Sequence, residues 1–157
     1  MRCSIRVFLA IVAPVSTAAG MAAGGAASAQ GMSVKDVFEK FNLIGIFSAD
    51  CSKAASKDNR YFVNRVVDAA HVQRDEMSGP TTRDHVTMID KATVLGPNEI
   101  SLGGKYDDKP TEGIWHMQAK RHISWDVTIA GKKVISKGHR ANGSAVPWLT
   151  KCGATGQ

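Results

Sequence analysis

Residues 122–129 alternate apolar and polar side chains, and this pattern restricts the fold more than any other feature of the chain. Apolar side chains occupy every second position: Ile123, Trp125, Val127 and Ile129. Because successive side chains of a strand point to opposite faces, the alternation predicts a β-strand with one buried and one solvated face. A second apolar run at 114–119 closely precedes it, so the two segments together predict a β-hairpin.

Other short apolar segments follow the same plan along most of the chain. Strands are expected at 43–49, at 60–67 with a continuation toward Gln73, at 85–95, around 100–102, at 132–137 and at 146–149. Turn-forming sequences separate many of them: Ser78-Gly79-Pro80, Gly96-Pro97-Asn98, Gly131 and Asn142-Gly143. About seven or eight successive short strands predict an antiparallel meander, and closing it into a small β-barrel removes the sheet edges. An open sheet packed on an N-terminal helix is the alternative.

Residues 33–42 show a helical period. Four apolar side chains fall on one face at i, i+3, i+4 and i+7: Val34, Val37, Phe38 and Phe41. Ser33 is a good N-cap, and Asp36 three residues later completes a variant of the capping box. The sequence therefore predicts one short N-terminal helix before a mainly β domain.

The first 29 residues have the organisation of a cleavable secretory signal peptide. Arg2 and Arg6 give a positive start, residues 7–15 form an apolar core, and Ala27-Ser28-Ala29 is a small-residue cleavage site. A membrane anchor is the alternative, but spanning a bilayer takes about 20 apolar residues. We predict a signal peptide at 1–29, a single β-barrel-like domain at 30–157, and a periplasmic or secreted location.

The cysteines predict one disulfide. Cleavage would remove Cys3 and leave Cys51 and Cys152. An exported chain with an even number of cysteines favours a bridge, and only one intramolecular pairing is then available. The Cys51–Cys152 bridge would close a loop of about 100 residues. Two free thiols or an intermolecular bridge are the alternatives.

Charge and motif content argue against several classes of function. The net charge of +6 falls to +4 without Arg2 and Arg6, and the basic residues are scattered, so no nucleic-acid partner is expected. The sequence has no Gly-x-Ser-x-Gly, Ser-x-x-Lys or His-Glu-x-x-His, and Asp107-Asp108 with Glu112 lacks the spacing of a calcium loop. We therefore predict no enzyme activity and no cofactor. A monomer without a membrane span is expected after signal cleavage.

Three resemblances involve residues 43–51. Gly45-Ile46-Phe47 is similar to the Gly-x-Trp signature of lipocalin-like barrels, and the segment 43–47 resembles the opening of periplasmic inhibitors of secreted metalloproteases. Residues 47–53, 58–61 and 147–152 together resemble a group of small exported alphaproteobacterial proteins. These resemblances imply a lipocalin-like barrel and a periplasmic protein with paired first-strand and tail cysteines. The inhibitor resemblance implies an N-terminal segment that enters a protease cleft.

His116, Met117 and His122 are the candidate metal ligands, because histidine and methionine together suit copper. The hairpin register decides which face of the sheet each side chain occupies. A two-residue loop at 120–121 would pair His116 with Trp125 and place this histidine inside.

A three-residue loop at 119–121 would instead pair Met117 with Ile123 and bury the apolar side chains together, so this register is preferred. It sends Met117 into the core and leaves His116 and His122 on the outer face. They would be diagonal neighbours with Cβ atoms about 7–8 Å apart, which is enough for weak metal binding.

The tryptophans bear on whether the barrel holds a ligand. Trp115 and Trp125 are expected in the core, and Trp148 at one end of the barrel near the disulfide. A barrel of about eight strands either fills with its own side chains or holds one small ligand. The leading hypothesis is a non-enzymatic periplasmic binding or accessory protein for a small apolar ligand or a protein partner. A periplasmic protease inhibitor and a weak copper-binding protein using His116 and His122 are the alternatives.

Overall fold

The structure is a computed structural model and describes residues 31–153. The predicted signal peptide, residues 1–29, lies outside the described residues. Within residues 31–153, no helix is both long enough and apolar enough to cross a membrane.

One helix and ten strands occur within residues 31–153. Their bounds are α1 Val34–Lys40, β1 Gly45–Ser48, β2 Tyr61–Val66, β3 Val72–Met77, β4 Arg83–Gly96, β5 Glu99–Tyr106, β6 Lys109–Gln118, β7 Arg121–Ile129, β8 Lys132–Ser136, β9 His139–Arg140 and β10 Leu149–Lys151. Each strand from β1 to β8 pairs antiparallel with the strand that follows it in the chain, so the last of these pairs is β8–β9. The mainly β, antiparallel meander predicted from the sequence is confirmed.

The sheet closes through its last strand. β10 pairs antiparallel with β1 on one side and with the beginning of β7 on the other. Strands β1 to β7 and β10 therefore form a closed barrel of eight strands, while β8 and β9 extend the sheet from the second half of β7. The prediction of a closed barrel is confirmed, and the open-sheet alternative is wrong.

The N-terminal helix packs against one end of the barrel. Ser33 and Asp36 form the predicted capping box, so the helix begins where the sequence indicates. The Val37 and Phe38 side chains are fully buried, and the Phe38 ring meets the Trp115 ring edge-on with centroids 6.2 Å apart. The Lys35 amide also donates to the Ala69 carbonyl in the β2–β3 turn, at 3.1 Å. The helix thus fills the end of the barrel at which β2 ends.

Cys51 and Cys152 lie at disulfide distance, with Cα atoms 5.4 Å apart. Cys51 follows β1, and Cys152 follows β10, so the pair spans the seam at which the barrel closes. The Cys152 amide donates to the Ile46 carbonyl at 2.8 Å beside the same seam. The fold-level prediction of one disulfide between these cysteines is confirmed.

The strand that begins near residue 60 is shorter than the sequence predicts. The predicted continuation toward Gln73 does not form, because the chain reverses at 67–71 and returns as β3. The Asp68 carboxylate accepts a hydrogen bond from the Ala70 amide at 2.7 Å and contacts His71 Nδ1 at 2.8 Å. An aspartate that bonds to backbone two residues ahead stabilises a turn, which is why the apolar pattern does not continue as one strand.

Both hairpin registers considered for the β6–β7 pair are wrong. The connecting turn is Ala119-Lys120, with Ala119 at φ 53°, and it pairs Met117 with His122. The same register places Trp115 opposite Ser124, and a bulge between Ile114 and Trp115 then shifts the pairing, so that Ile114 lies opposite Asp126. A positive φ at the first turn residue ordinarily favours glycine, so an alanine there gives no sequence signal for this turn.

Gly104 allows β5 to approach a bulge in β4 closely. A Cβ at this position would meet the Met88 carbonyl oxygen and lie 2.9 Å from the Ile89 Cα. The bulge between Ile89 and Lys91 lies opposite Gly103-Gly104. Bulges bend and twist the strands they interrupt, so this pair of glycines shapes the barrel wall.

Candidate functional site: the barrel interior

The interior of the barrel contains a cavity of about 800 Å³. Its walls are mostly apolar and come from strands all round the barrel. They include Phe62, Ile89, Leu102, Trp115, Val127 and Leu149. A cavity of 300–1,000 Å³ is the size range of ligand pockets, so the interior has room for a small molecule.

The cavity reaches the surface at the end opposite the helix. Its rim includes residues 57–60 of the β1–β2 loop and residues 140–142 after β8. Lys57, Asp58, Arg140 and Asn142 in this rim are exposed. A small molecule can therefore enter between these two segments, while the helix covers the other end.

Buried Asn59 holds the β1–β2 loop of the rim in place. Its amide oxygen accepts from the Ser48 hydroxyl at 2.9 Å and from the Asp50 amide at 3.2 Å. Its amide nitrogen donates to the carbonyls of Asp50 at 2.9 Å and Lys53 at 3.2 Å. This loop is thus tied to the barrel by a satisfied polar side chain, as buried polar groups require.

Arg74 of β3 lies deep in the cavity, between two aromatic rings. Its guanidinium carbon is 4.3 Å from the Phe62 ring centroid and 4.5 Å from the Trp115 centroid. Nη1 donates to Asn64 Oδ1 at 3.2 Å and to His122 Nε2 at 3.4 Å. The residue is 8 % exposed, and burial lowers the pKa of its guanidinium to about 9, so it stays charged at neutral pH.

No carboxylate of the described residues forms an ion pair with Arg74. Glu76, two residues further along β3, is bonded to Arg60. Asp75 pairs with Arg65 and lies 3.6 Å from Arg83. Burying a charge without a counter-ion is costly, so such a group in a cavity marks a candidate binding site.

His122 lies behind Trp115 and supports Arg74. The two rings are stacked with centroids 4.5 Å apart, and the Phe47 ring meets the imidazole edge-on at 4.7 Å. Burial, and secondarily the nearby Arg74 charge, lower the pKa of His122 well below its usual value. Because arginine can only donate, Nε2 accepts and the proton is on Nδ1, which has no partner among the described residues.

Tyr106 is a second polar group on the cavity wall. Burial raises the pKa of its phenol, and the nearby Glu76 carboxylate contributes in the same direction. The phenol therefore stays protonated and can donate a hydrogen bond to a bound molecule.

The neutral buried His122 gives a prediction for stability at acid pH. In the unfolded chain this imidazole takes up a proton below about pH 6.5, whereas in the folded chain its pKa is lower, so acid favours unfolding. We expect His122 to contribute a loss of up to about 1.4 kcal/mol in the free energy of unfolding for each pH unit below 6.5. Urea unfolding of wild type and His122→Gln between about pH 7 and pH 5 measures the difference in slope.

His116→Gln is the matched control, because this imidazole lies on the outer face and stacks on Trp125 with centroids 4.6 Å apart. It should retain the steep slope of the wild type. Parallel slopes for wild type and His122→Gln would contradict the assignment of a neutral buried imidazole.

The candidate metal ligands do not share a face of the sheet. His122 is fully buried and lies against Trp115 in the interior, so its predicted position on the outer face is wrong. His116 is on the outer face, where it lies 3.7 Å from Glu99, and Met117 is buried as expected. Within residues 31–153, no three His, Cys, Asp or Glu side chains form a cluster suited to a metal ion.

The structure confirms the predicted core position of Trp115 but not that of Trp125. Trp115 lies in the core, whereas Trp125 packs on the outer face against His116. Trp148 is half-buried and does not line the cavity, and Arg121 lies over its ring at 5.3 Å. Arg74 was not identified from the sequence, because β3 reads Val-Gln-Arg-Asp-Glu-Met and shows no apolar alternation.

The cavity with its buried arginine is the feature from which a function can be argued. The chain matches no protein-family model, no curated protein and no solved structure.

Proposed function

We propose that this protein binds a small, largely apolar molecule inside the barrel and acts as a carrier or store rather than as an enzyme. The observation that carries the proposal is the cavity of about 800 Å³, which opens at one end. Such a volume costs packing energy that a filled core would recover, so a retained cavity favours a ligand-binding role. An interior site fits a small molecule better than a protein partner.

The compartment proposed for this activity is the periplasm. The predicted signal peptide at 1–29 and the cysteine pair both support it, because disulfides persist in oxidising compartments.

The geometry of residues 31–153 adds no support to the two alternative functions, weak copper binding and protease inhibition. For the copper hypothesis, His116 and His122 lie on opposite faces of the sheet. For the protease-inhibitor hypothesis, residues 34–40 are helical and bury Val37 and Phe38 in the barrel rather than forming an extended arm.

Filling the cavity with a side chain is expected to abolish ligand binding. Thr87 of β4 lines the cavity and pairs with Arg74, so a tryptophan there would occupy the space beside the guanidinium. N-phenyl-1-naphthylamine, a neutral probe that fluoresces in apolar surroundings, should bind to the wild type and bind at least about tenfold more weakly to Thr87→Trp. A fluorescence titration measures both affinities.

Thr93→Trp is the matched control, because Thr93 belongs to the same strand but is exposed and does not line the cavity. This variant should bind the probe as the wild type does, and circular dichroism should show that all three proteins are folded. Lack of probe binding by the wild type, or equal binding by Thr87→Trp, would overturn the proposed function.

A further inference from the structure

Arg74 has hydrogen-bonding capacity directed at open space. Its side-chain hydrogen bonds both leave from Nη1, to Asn64 and His122. Within residues 31–153, His122 Nδ1 is the single fully enclosed side-chain nitrogen or oxygen that lacks a partner. Nε and Nη2 of Arg74 therefore keep some accessible surface and make no hydrogen bond within these residues, and because the residue lines the cavity, we assign both donors to a ligand there.

Within residues 31–153, no carboxylate bonds directly to this guanidinium. Arg74 is the one buried charged residue among the described residues that line the cavity. The nearest carboxylate on its own face of β3 is Glu76, which is bonded to Arg60. Arg60 is also 3.9 Å from Asp84, so both of these carboxylates pair with Arg60, and Glu76 acts on Arg74 only through its nearby charge.

The two aromatic rings hold the guanidinium in one orientation. The centroids of the Phe62 and Trp115 rings lie 4.3 Å and 4.5 Å from its central carbon, and this contact restricts rotation of the side chain. A planar, fixed guanidinium with two free neighbouring donors matches the geometry of a carboxylate, which accepts two parallel hydrogen bonds. A single buried cation suits a monoanion better than a phosphate, whose second charge would lack a partner.

We propose that the ligand is an amphipathic monocarboxylic acid whose carboxylate binds Arg74 while its apolar body lies along the cavity walls. This inference depends on the proposed ligand-binding function and specifies its ligand class. Ile89, Leu102 and Leu149 on the walls offer apolar contact beyond the charged group. Each additional methylene buried there should raise the affinity about fourfold until the cavity is full.

The test compares decanoate with decanol as competitors of N-phenyl-1-naphthylamine at about pH 7.5, where the acid is ionised. Decanoate should displace the probe from the wild type at a concentration about 10- to 100-fold lower than decanol, since charged hydrogen bonds contribute that much affinity. Arg74→Met should still bind the probe and should lose the preference for the acid. The preference should survive in Arg121→Met, because Arg121 lies over Trp148 outside the cavity.

The outcomes separate the two proposals. If the wild type does not bind the probe, the proposed function fails, and the ligand class fails with it. If the probe binds but decanoate and decanol compete equally, only the ligand class is wrong. The wild-type comparison requires no variant, so a folding defect in Arg74→Met would not prevent the test. Arg74→Lys, which retains a charge without the planar pair of donors, should give an intermediate preference.

Discussion

Replacing both Cys51 and Cys152 by serine is expected to lower the melting temperature by about 10–20 °C. The bridge joins residues 101 positions apart. Closing a loop of about 100 residues contributes at most about 4.7 kcal/mol in the chain-entropy account, and losing a native disulfide from a small secreted domain typically costs 2–5 kcal/mol. A domain of this size loses roughly 4 °C for each kcal/mol. Thermal unfolding followed by circular dichroism measures the shift.

The position of the bridge is the reason to expect a large effect. The barrel is closed by β10, which has three residues and makes two residue pairs with β1 and two with β7. Without the bridge this short strand alone must hold the seam. Hydrogen exchange should therefore increase at 149–151 before it increases in β4 or β5. A reducing agent should lower the wild-type melting temperature by a similar amount and have no further effect on the double variant. A shift below about 3 °C would contradict this role of the bridge.

Phe38→Ala is the second change expected to have a large effect. Phe38 is fully buried between the helix and the barrel, where its ring meets Trp115. Removing a buried phenylalanine side chain costs about 3–5 kcal/mol from lost burial and from the void left behind. This truncation should also loosen the helix that covers the closed end of the cavity. Urea unfolding measures the free-energy loss, and the probe titration measures the effect on the cavity.

Phe41→Ala is the matched control for this prediction. Phe41 follows the same helix as its C-cap and is only partly buried against the core. Its truncation should cost clearly less than that of Phe38, and probe affinity should stay close to that of the wild type. Equal losses in the two variants would contradict the assignment of Phe38 as the side chain that anchors the helix.

Local patterns in the sequence were enough to predict the fold class. The period of the 33–42 segment and its Ser33 cap predicted the helix, and alternation at 122–129 predicted a strand. Both signals depend on neighbouring residues along the chain. The cysteine pair added one contact between distant segments, and that contact agrees with closure of the sheet at β1 and β10.

Register could not be predicted, because it depends on a turn without a sequence signal. Ala119 adopts a positive φ, and the bulge after Ile114 shifts the pairing by one more residue. Each shift of one residue moves a side chain to the other face of the sheet. The turn places His122 in the interior and Trp125 at the exterior, and the bulge returns Val127 to the cavity wall. The turn register is therefore why the predicted histidine pair does not form.

The cavity and its arginine also lay beyond local patterns. Whether an eight-stranded barrel is filled depends on the side chains that all its strands contribute to the interior. The inward positions of β3 are Val72, Arg74 and Glu76. Two of these three residues are charged, so the sequence of β3 does not show which of its faces points to the interior. Two rings stabilise Arg74: Phe62 comes from β2 and Trp115 from β6. They meet around the guanidinium only in the closed barrel.

The most direct test of an acid-binding barrel is a crystal structure of the protein with decanoate. The account predicts a carboxylate within about 3 Å of the Arg74 guanidinium nitrogens, which is hydrogen-bond distance. It also predicts that the alkyl chain lies in the cavity beside Phe62 and Trp115 and extends toward the rim at 57–60 and 140–142. Decanoate bound outside the barrel, or inside it with its carboxylate at the rim and Arg74 without a contact, would contradict the account.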